Sequence, residues 1–441
     1  MAGNDRPPVL RIGLVSFVGT ALEFYSIQVY GTAAALVFPK LFFPSSSPLM
    51  GALLAYGTLA VSYASRPVGA AIFGHVGDRF GRKNALVATL VVMGIATVGI
   101  GLLPGYASIG VAAPVLLLFL ALVQAGAFGG EWGGAILVAY ENAPPGRRNL
   151  WASLPQVGMP LGALVANAVW VIVTSTASQG DLMSWGWRVP FWFSGVVVIG
   201  GVIVRLTIGE TPEFQREVKD TGTEAKVPVV EMFRQHWREA LLTGGAFLGF
   251  GLTATVCITY MIQYGTSRDG GHESLMLDVL MISTATQLVI MPLGGWLADR
   301  FGTGRILQLG AIGTAVTIFG LCWLVSTGQF ALMLIGYLVG FAFFSAINYG
   351  PLAALFAAAF SVRTRYSGLS VGQSVANVLG GLGPIASAAM VAASGTIMSA
   401  AGYMCVMLLI SSACLFVLTR KFAGRVAGRD PESAPAAQIA T

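Results

Sequence analysis

Twelve runs of apolar residues, most of them about as long as a bilayer is thick, constrain this chain more than any other feature. They cover about 12–38, 50–72, 85–103, 112–141, 150–175, 189–208, 239–264, 274–297, 306–326, 331–360, 366–393 and 397–419. Roughly 20 apolar residues in a helix cross a hydrocarbon core of about 30 Å, so the chain is predicted to be an all-α integral membrane protein with twelve transmembrane helices. Composition agrees: of 441 residues 55% are apolar and only 10% charged, where soluble domains carry about a quarter charged residues. The first run is too long for a signal-peptide core and lacks a small-residue cleavage site, so it is expected to stay as the first helix.

The chain repeats itself. Gly74, Asp78, Arg79, Phe80 and Gly81, in a charged knot between two apolar runs, recur 221 positions later as Gly295, Asp299, Arg300, Phe301 and Gly302. Arg148, Ser153 and Gln156 recur at an offset of 217 as Arg365, Ser370 and Gln373. Two sets of matches in the same order at nearly one offset mark an internal duplication. The expected architecture is two six-helix, pseudo-symmetric halves, 1–208 and 239–419. A cytosolic linker joins them at 209–238, and a disordered cytosolic tail follows at 420–441.

The net charge of +6 would suit nucleic-acid binding if it formed a patch, but its placement says otherwise. With the N-terminus in the cytosol, 21 of the 25 Lys and Arg fall on the cytosolic side; Lys40, Arg188 and Arg268 fall outside and Arg66 within a span. That asymmetry puts both termini in the cytosol of a multi-pass protein of the cell (inner) membrane. Nucleic acid is excluded as a partner; the lipid bilayer is one. Cys257, Cys322, Cys405 and Cys414 lie inside spans, so no disulfide framework is implied. His75, His236 and His272 share no helix face, and no metal cluster, phosphate-cradling loop or catalytic constellation appears. The chain reads as neither an enzyme nor an ATP-driven pump, and it calls for no cofactor.

Polar residues inside the spans carry the functional signal, because a charged side chain at a helix centre costs about 2.5–3.5 kcal/mol on insertion scales. Gly19, Glu23, Ser26 and Tyr30 form one stripe on the first helix. Arg66 precedes Asp78 by twelve residues, Glu23 follows Arg11 by twelve, and Glu131 precedes Ala143 by twelve, so all three stand roughly 18 Å above the cytosolic ends. Transporters hold their substrates near that depth. Glu23 or Glu131 could equally be paired with Arg66 to hold helices together. Gln124 shares a face with Glu131, and Gln156 and Asn167 lie on one face of the fifth helix. Tyr260, Gln263, Asn348, Gln373 and Asn377 are the second half's polar positions, with interhelical hydrogen bonding as the plainer reading. Arg66 plus 221 gives Gln287, so a cation stands in the first half where the second has a neutral amide. Gly129, Gly130, Gly133 and Gly134 around Glu131 allow close helix packing.

These residues resemble the major facilitator superfamily, through Gly-x-x-x-Asp-Arg-x-Gly-Arg-Lys at 74–83 and its weaker copy at 295–305. Within it, Gly19-Thr20-Ala21-Leu22-Glu23-Phe24-Tyr25, Tyr63-Ala64-Ser65-Arg66-Pro67, Gly129-Gly130-Glu131-Trp132-Gly133-Gly134, Trp187-Arg188-Val189-Pro190-Phe191 and Glu210-Thr211-Pro212 are similar to the metabolite:proton symporter family. That family includes permeases for shikimate, α-ketoglutarate, citrate, proline/betaine and aromatic acids. The resemblance implies a monomeric secondary transporter importing a small organic acid with protons by alternating access. Arg66, Tyr30, Gln124, Gln156, Asn167, Tyr260, Gln263, Asn348, Gln373 and Asn377 would contact substrate, and Glu23 and Glu131 would carry the proton, the coupling ion. Gly74, Asp78, Arg79, Gly81, Arg82, Arg148, Asp299, Arg300 and Arg365 would form a cytosolic gate. Ser26 stands where the family usually has an aspartate. Either the coupling role moves to Glu23 or Glu131, or the protein is a proton-independent facilitator or exchanger of the same fold.

Overall fold

A computed structural model describes residues 9–44, 50, 54, 57–58, 61–207, 209–211, 213, 215, 228–268 and 273–428. The first half comprises α1 (Val9–Leu36), α2 (Arg66–Phe80), α3 (Arg82–Leu102), α4 (Ala112–Glu141), α5 (Arg148–Thr176) and α6 (Val189–Leu206). The second begins with α7, which runs from Trp237–Thr255 through a π-helical stretch, Val256–Tyr260, into Met261–Arg268. Next come α8 (Glu273–Phe301), α9 (Thr303–Val325) and α10, in which Phe330–Gly336 and Ala346–Ala359 flank a π-helical Tyr337–Ser345. α11 (Arg365–Gly381, then Gly383–Ser394) and α12 (Met398–Val426) complete it. Ten helices among the described residues are long and apolar enough to cross a membrane.

The repeated charged knot is not a loop. Its first seven residues, Gly74–Phe80, are the last two turns of α2, and the chain turns only at Gly81, with φ 103°. The second copy does the same at the end of α8, turning at Gly302 with φ 102°. A positive φ of that size strains any side chain with a Cβ, so both copies place glycine at the one residue that must reverse direction. A second correction concerns the end of the chain. α12 continues past 419 because Phe422 and Val426 are buried and Lys421 Nζ reaches Glu239 Oε1 at 2.7 Å. The remainder of the expected tail, from 429, lies outside the described residues.

The halves meet unevenly. One apolar core runs through both of them at the end bearing the charged knots and the linker, hereafter the basic face. It joins Ala70, Trp132, Ile136 and Ala152 to Met291, Leu352, Leu369 and Leu418. Toward the opposite face each half keeps its own core. One is built on Tyr25, Phe38, Leu117 and Trp187, the other on Val256, Met276, Leu321 and Met404. Across the shared core α2 packs on α11, and α5 packs on α8 and α10.

Candidate functional site

The interior of the first half holds four ionisable side chains. α2 begins at Arg66 because Pro67 has no amide hydrogen to continue a helix from upstream. Ser65 Oγ pins the break by donating to the Ser62 and Leu122 carbonyls at 2.7 and 2.8 Å. The Arg66 guanidinium is 5% exposed and lies between two rings, 3.7 Å from the Tyr63 centroid and 3.9 Å from that of Phe128. Such contacts give a desolvated arginine up to about 2 kcal/mol. They cover its faces and leave the N–H fork at its edge. Among the described residues no carboxylate oxygen lies within 4.0 Å of it, and its Nε has no hydrogen-bond partner.

Glu131 is satisfied by a residue that sequence reasoning left on the surface. Arg205, 4% exposed, makes an ion pair with Glu131 through both terminal nitrogens and donates to the Leu86 carbonyl at 2.6 Å. Thr89 Oγ1 donates to the same carboxylate at 2.6 Å. Gly19 of α1 makes room, since a Cβ there would overlap the Arg205 guanidinium. The alternative pairing of Glu131 with Arg66 is therefore corrected to Glu131 with Arg205. Glu23, one turn beyond Gly19, is fully buried, and neither of its oxygens has a hydrogen-bond partner. It lies in the electrostatic field of Glu131, Arg205 and Arg66.

An aromatic layer adjoins this cluster and joins the halves. Trp132 Nε1 donates to Gln156 Oε1 at 2.9 Å, and its ring lies 6.0 Å from Phe247. Tyr349 stacks on Phe250 at 4.0 Å between centroids, with planes 5° apart. Gln156 Nε2, Gln373 Oε1 and Asn377 Nδ2 are buried atoms without partners. The other polar positions are engaged within their own half. Tyr30 bonds Thr58 at 2.7 Å, Gln124 donates to Thr97 at 2.7 Å, Asn167 accepts from Gln28 at 3.1 Å and Asn348 donates to the Leu307 carbonyl at 2.7 Å. Tyr260 is buried in the π-helical stretch, 6.2 Å from Tyr264, and Gln263 is exposed.

At the basic face each knot's aspartate caps a helix of the other half. Asp78 accepts from the Tyr366 and Ser367 amides at 3.1 and 2.9 Å and from Ser367 Oγ at 2.7 Å. Asp299 accepts from the Asn149 and Leu150 amides, both at 3.0 Å, and from Asn149 Nδ2 at 2.9 Å. These amides open α11 and α5, where unpaired N–H groups and the helix dipole favour an anion. Around Asp78 the first copy adds charge. Arg82 is fully buried, 3.4 Å from Asp78 and 3.8 Å from Glu141, and donates to the Val362 carbonyl at 2.6 Å. Arg365 binds Glu141 at 3.1 Å and also Glu213, which in turn takes Arg148 at 3.2 Å. Burial alone would raise the Glu213 carboxyl, but Arg365 and Arg148 outweigh it and hold it below the ordinary carboxylate range. Gly74 lies against Ser367. Arg79 and Arg300 lie instead beside the rings of Phe80 and Trp296, at 5.1 and 5.5 Å. In the linker the Gln215 amide donates to the Thr211 carbonyl at 3.1 Å; Pro212 lies outside the described residues.

Glu141 and Arg205 escaped sequence reasoning because each sits in the last turn of an apolar run and reads as a flanking charge, and Glu213 because it lies in the polar linker. Arg205 had one usable signal: it lies inside the sixth run, and Glu131 needed a cation.

Two duplicated helical halves that share a core at one face and enclose charged side chains define a membrane transporter of the secondary type. The model of the Major Facilitator Superfamily matches residues 16–355 and 270–440, and the chain belongs to that superfamily, among its metabolite permeases. It is 38% identical over 384 residues to an inner membrane metabolite transport protein of Escherichia coli, covering 86% of each chain. It is 36% identical over 393 residues to the shikimate transporter of the same organism, covering 86% of this chain and 87% of that one. Against the proline/betaine transporter of Escherichia coli it is 30% identical over 404 residues, covering 89% and 80%. Its fold matches the proton:xylose symporter bound to 6-bromo-6-deoxy-D-glucose with a TM-score of 0.74, at 18% identity and over 94% of this chain and 96% of that one. These relatives are transport proteins, and the chain is a transporter, not an enzyme.

Proposed function

We propose that the protein carries a small organic monoanion together with one proton by alternating access, importing both across the inner membrane. The observation that supports this reading is the pairing of Arg66, whose N–H edge has no carboxylate partner, with Glu23, neither of whose oxygens is hydrogen-bonded. Burying an ionised carboxylate without a partner costs several kcal/mol, so this conformation accommodates Glu23 in its acid form. Glu131 and Arg205 neutralise one another. With Glu23 protonated, Arg66 is the one unbalanced charge of the interior among the described residues, and a substrate carboxylate balances it. When Glu23 loses its proton it becomes the counter-ion that Arg66 lacked, and the substrate is released. Proton and anion then bind and leave together, so the cycle moves no net charge and responds to the pH gradient rather than to membrane potential.

Gln156, Gln373 and Asn377 supply unpartnered polar atoms for the remainder of the solute, with the Trp132 and Tyr349 layer beneath it. The gate at the basic face, taken as cytosolic from the charge asymmetry, is closed in this conformation. Shikimate, a monoanion, is the first probe, because a relative is named for it.

The test is uptake of labelled organic acids into proteoliposomes under an imposed pH gradient. The reading expects accumulation that collapses with the gradient and ignores an imposed potential. A second reading, a facilitator, is favoured by Ser26, whose hydroxyl donates to the Leu22 carbonyl at 3.1 Å and offers no acid. Counterflow with no accompanying proton movement would support it.

A further inference from the structure

A cavity of about 20 Å³, room for a single water molecule, lies beside Arg205 and is lined by no residue of the second half. Its lining is Ser16, Lys83, Leu86, Ala135, Val138, Arg205 and Gly209. Lys83 begins α3 and Gly209 follows α6, so the cavity leads inward from the basic face. Ser16 Oγ is buried without a hydrogen-bond partner, and Lys83 Nζ donates to the Leu206 carbonyl at 3.0 Å, so polar groups on its wall suit a water. The inner end is Arg205. Its terminal nitrogens bond Glu131 and the Leu86 carbonyl. One turn along α1 from Gly19, against which that guanidinium rests, stands Glu23.

A buried acid reached by water from one face when the halves part, and from the other through this cavity, would pass protons whether or not substrate moved. We propose that Arg205 is the barrier that prevents this: a cation standing between the cavity and Glu23, which a proton on that path meets first and which its ion pair with Glu131 keeps in place. Fixed positive charge excludes protons from narrow water-filled paths in the same way. The proposal rests on Glu23 being the group that exchanges the proton. Its test contains no substrate, so its failure leaves the symport reading standing, and failed symport with a confirmed barrier would be recognised as such.

The experiment is proton entry into proteoliposomes containing the full chain and an internal pH-sensitive dye. Entry is driven by a potassium diffusion potential, with no organic acid present. Wild type should be tight. Arg205→Met combined with Glu131→Gln removes the cation without leaving a buried acid unpaired, and proton entry should rise about tenfold or more with the electrostatic barrier gone. Adding Ala135→Leu to that pair fills the cavity and should restore tightness, which a generally leaky or misfolded protein would not show. Gly19→Ala keeps both charges but takes the space the guanidinium occupies, and should leak as well. Arg205→Lys keeps the cation and should stay tight. The barrier is overturned if neither the double variant nor Gly19→Ala leaks, if Ala135→Leu fails to suppress the leak, or if Arg205→Lys leaks as much as the double variant.

Discussion

The two halves share an outline and differ inside. In the first, Glu23, Arg66, Glu131 and Arg205 are buried together; in the second, the positions matching Arg66 and Glu131 are Gln287 and Asn348, and no buried charge lies in its interior among the described residues. The gates repeat the contrast. Asp78 and Asp299 cap opposite helices with nearly the same geometry, yet Arg82 beside the first corresponds, at an offset of 221, to Thr303 beside the second. Duplication kept the helix caps, which any closing interface of this shape needs, and kept charge in one half alone. One charged half is sufficient for a single anion and a single proton, while the neutral half supplies shape and hydrogen bonds at a lower desolvation cost.

The sharpest way to break that contrast is Arg66→Gln, which gives the first half the residue its partner has at Gln287. Loss of a buried charge partner worth about 3 kcal/mol should weaken binding of the transported acid roughly 100-fold. Equilibrium binding to the purified protein checks this, and unchanged affinity would remove Arg66 from its role.

The next effect is at the charged gate. Asp78→Asn takes a carboxylate neighbour from buried Arg82, leaving it Glu141 at 3.8 Å, and should cost the closed state about 3–5 kcal/mol. Asp299→Asn leaves no cation stranded and should cost less, about 1.5–3 kcal/mol. Thermal unfolding in detergent should rank the two variants in that order; equal losses would mean that the added charges around Asp78 contribute nothing.

The smallest expected effect is Glu213→Gln, about 1.5–3 kcal/mol at most for its contacts to Arg148 and Arg365. The Glu213 carboxyl is held below its ordinary range. Its contribution is therefore fully present at neutral pH and above the unfolded carboxylate's range, and is lost as pH falls through its depressed folded value. The difference in melting temperature between wild type and Glu213→Gln should shrink as the solution is made acidic, and should be constant from neutral pH upward.

Much of this was legible in the sequence because the bilayer imposes length and polarity so strictly. Twelve apolar runs and the 221-residue echo were enough for two six-helix halves, and the glycines at 81 and 302 marked the turns. The knots' charges interrupt the apolar pattern and so hide that they are helical, yet capping across the halves lets Asp78 and Asp299 stand near the ends of their helices inside protein. The interior was half legible. Glu23, Arg66 and Glu131 stood out as costly charges, but the count of residues along a helix gives depth and not direction. It could not say that Glu131 faces Arg205, nor that Tyr30, Gln124 and Asn348 turn toward neighbours in their own half.

The central claim is that Glu23 alone carries the transported proton. Glu23→Gln, assayed in proteoliposomes for both counterflow and accumulation, tests it most directly. The account predicts that exchange of labelled for unlabelled acid survives, because the amide mimics the protonated state, while accumulation driven by a pH gradient disappears. Accumulation that persists with its dependence on the gradient intact would contradict it.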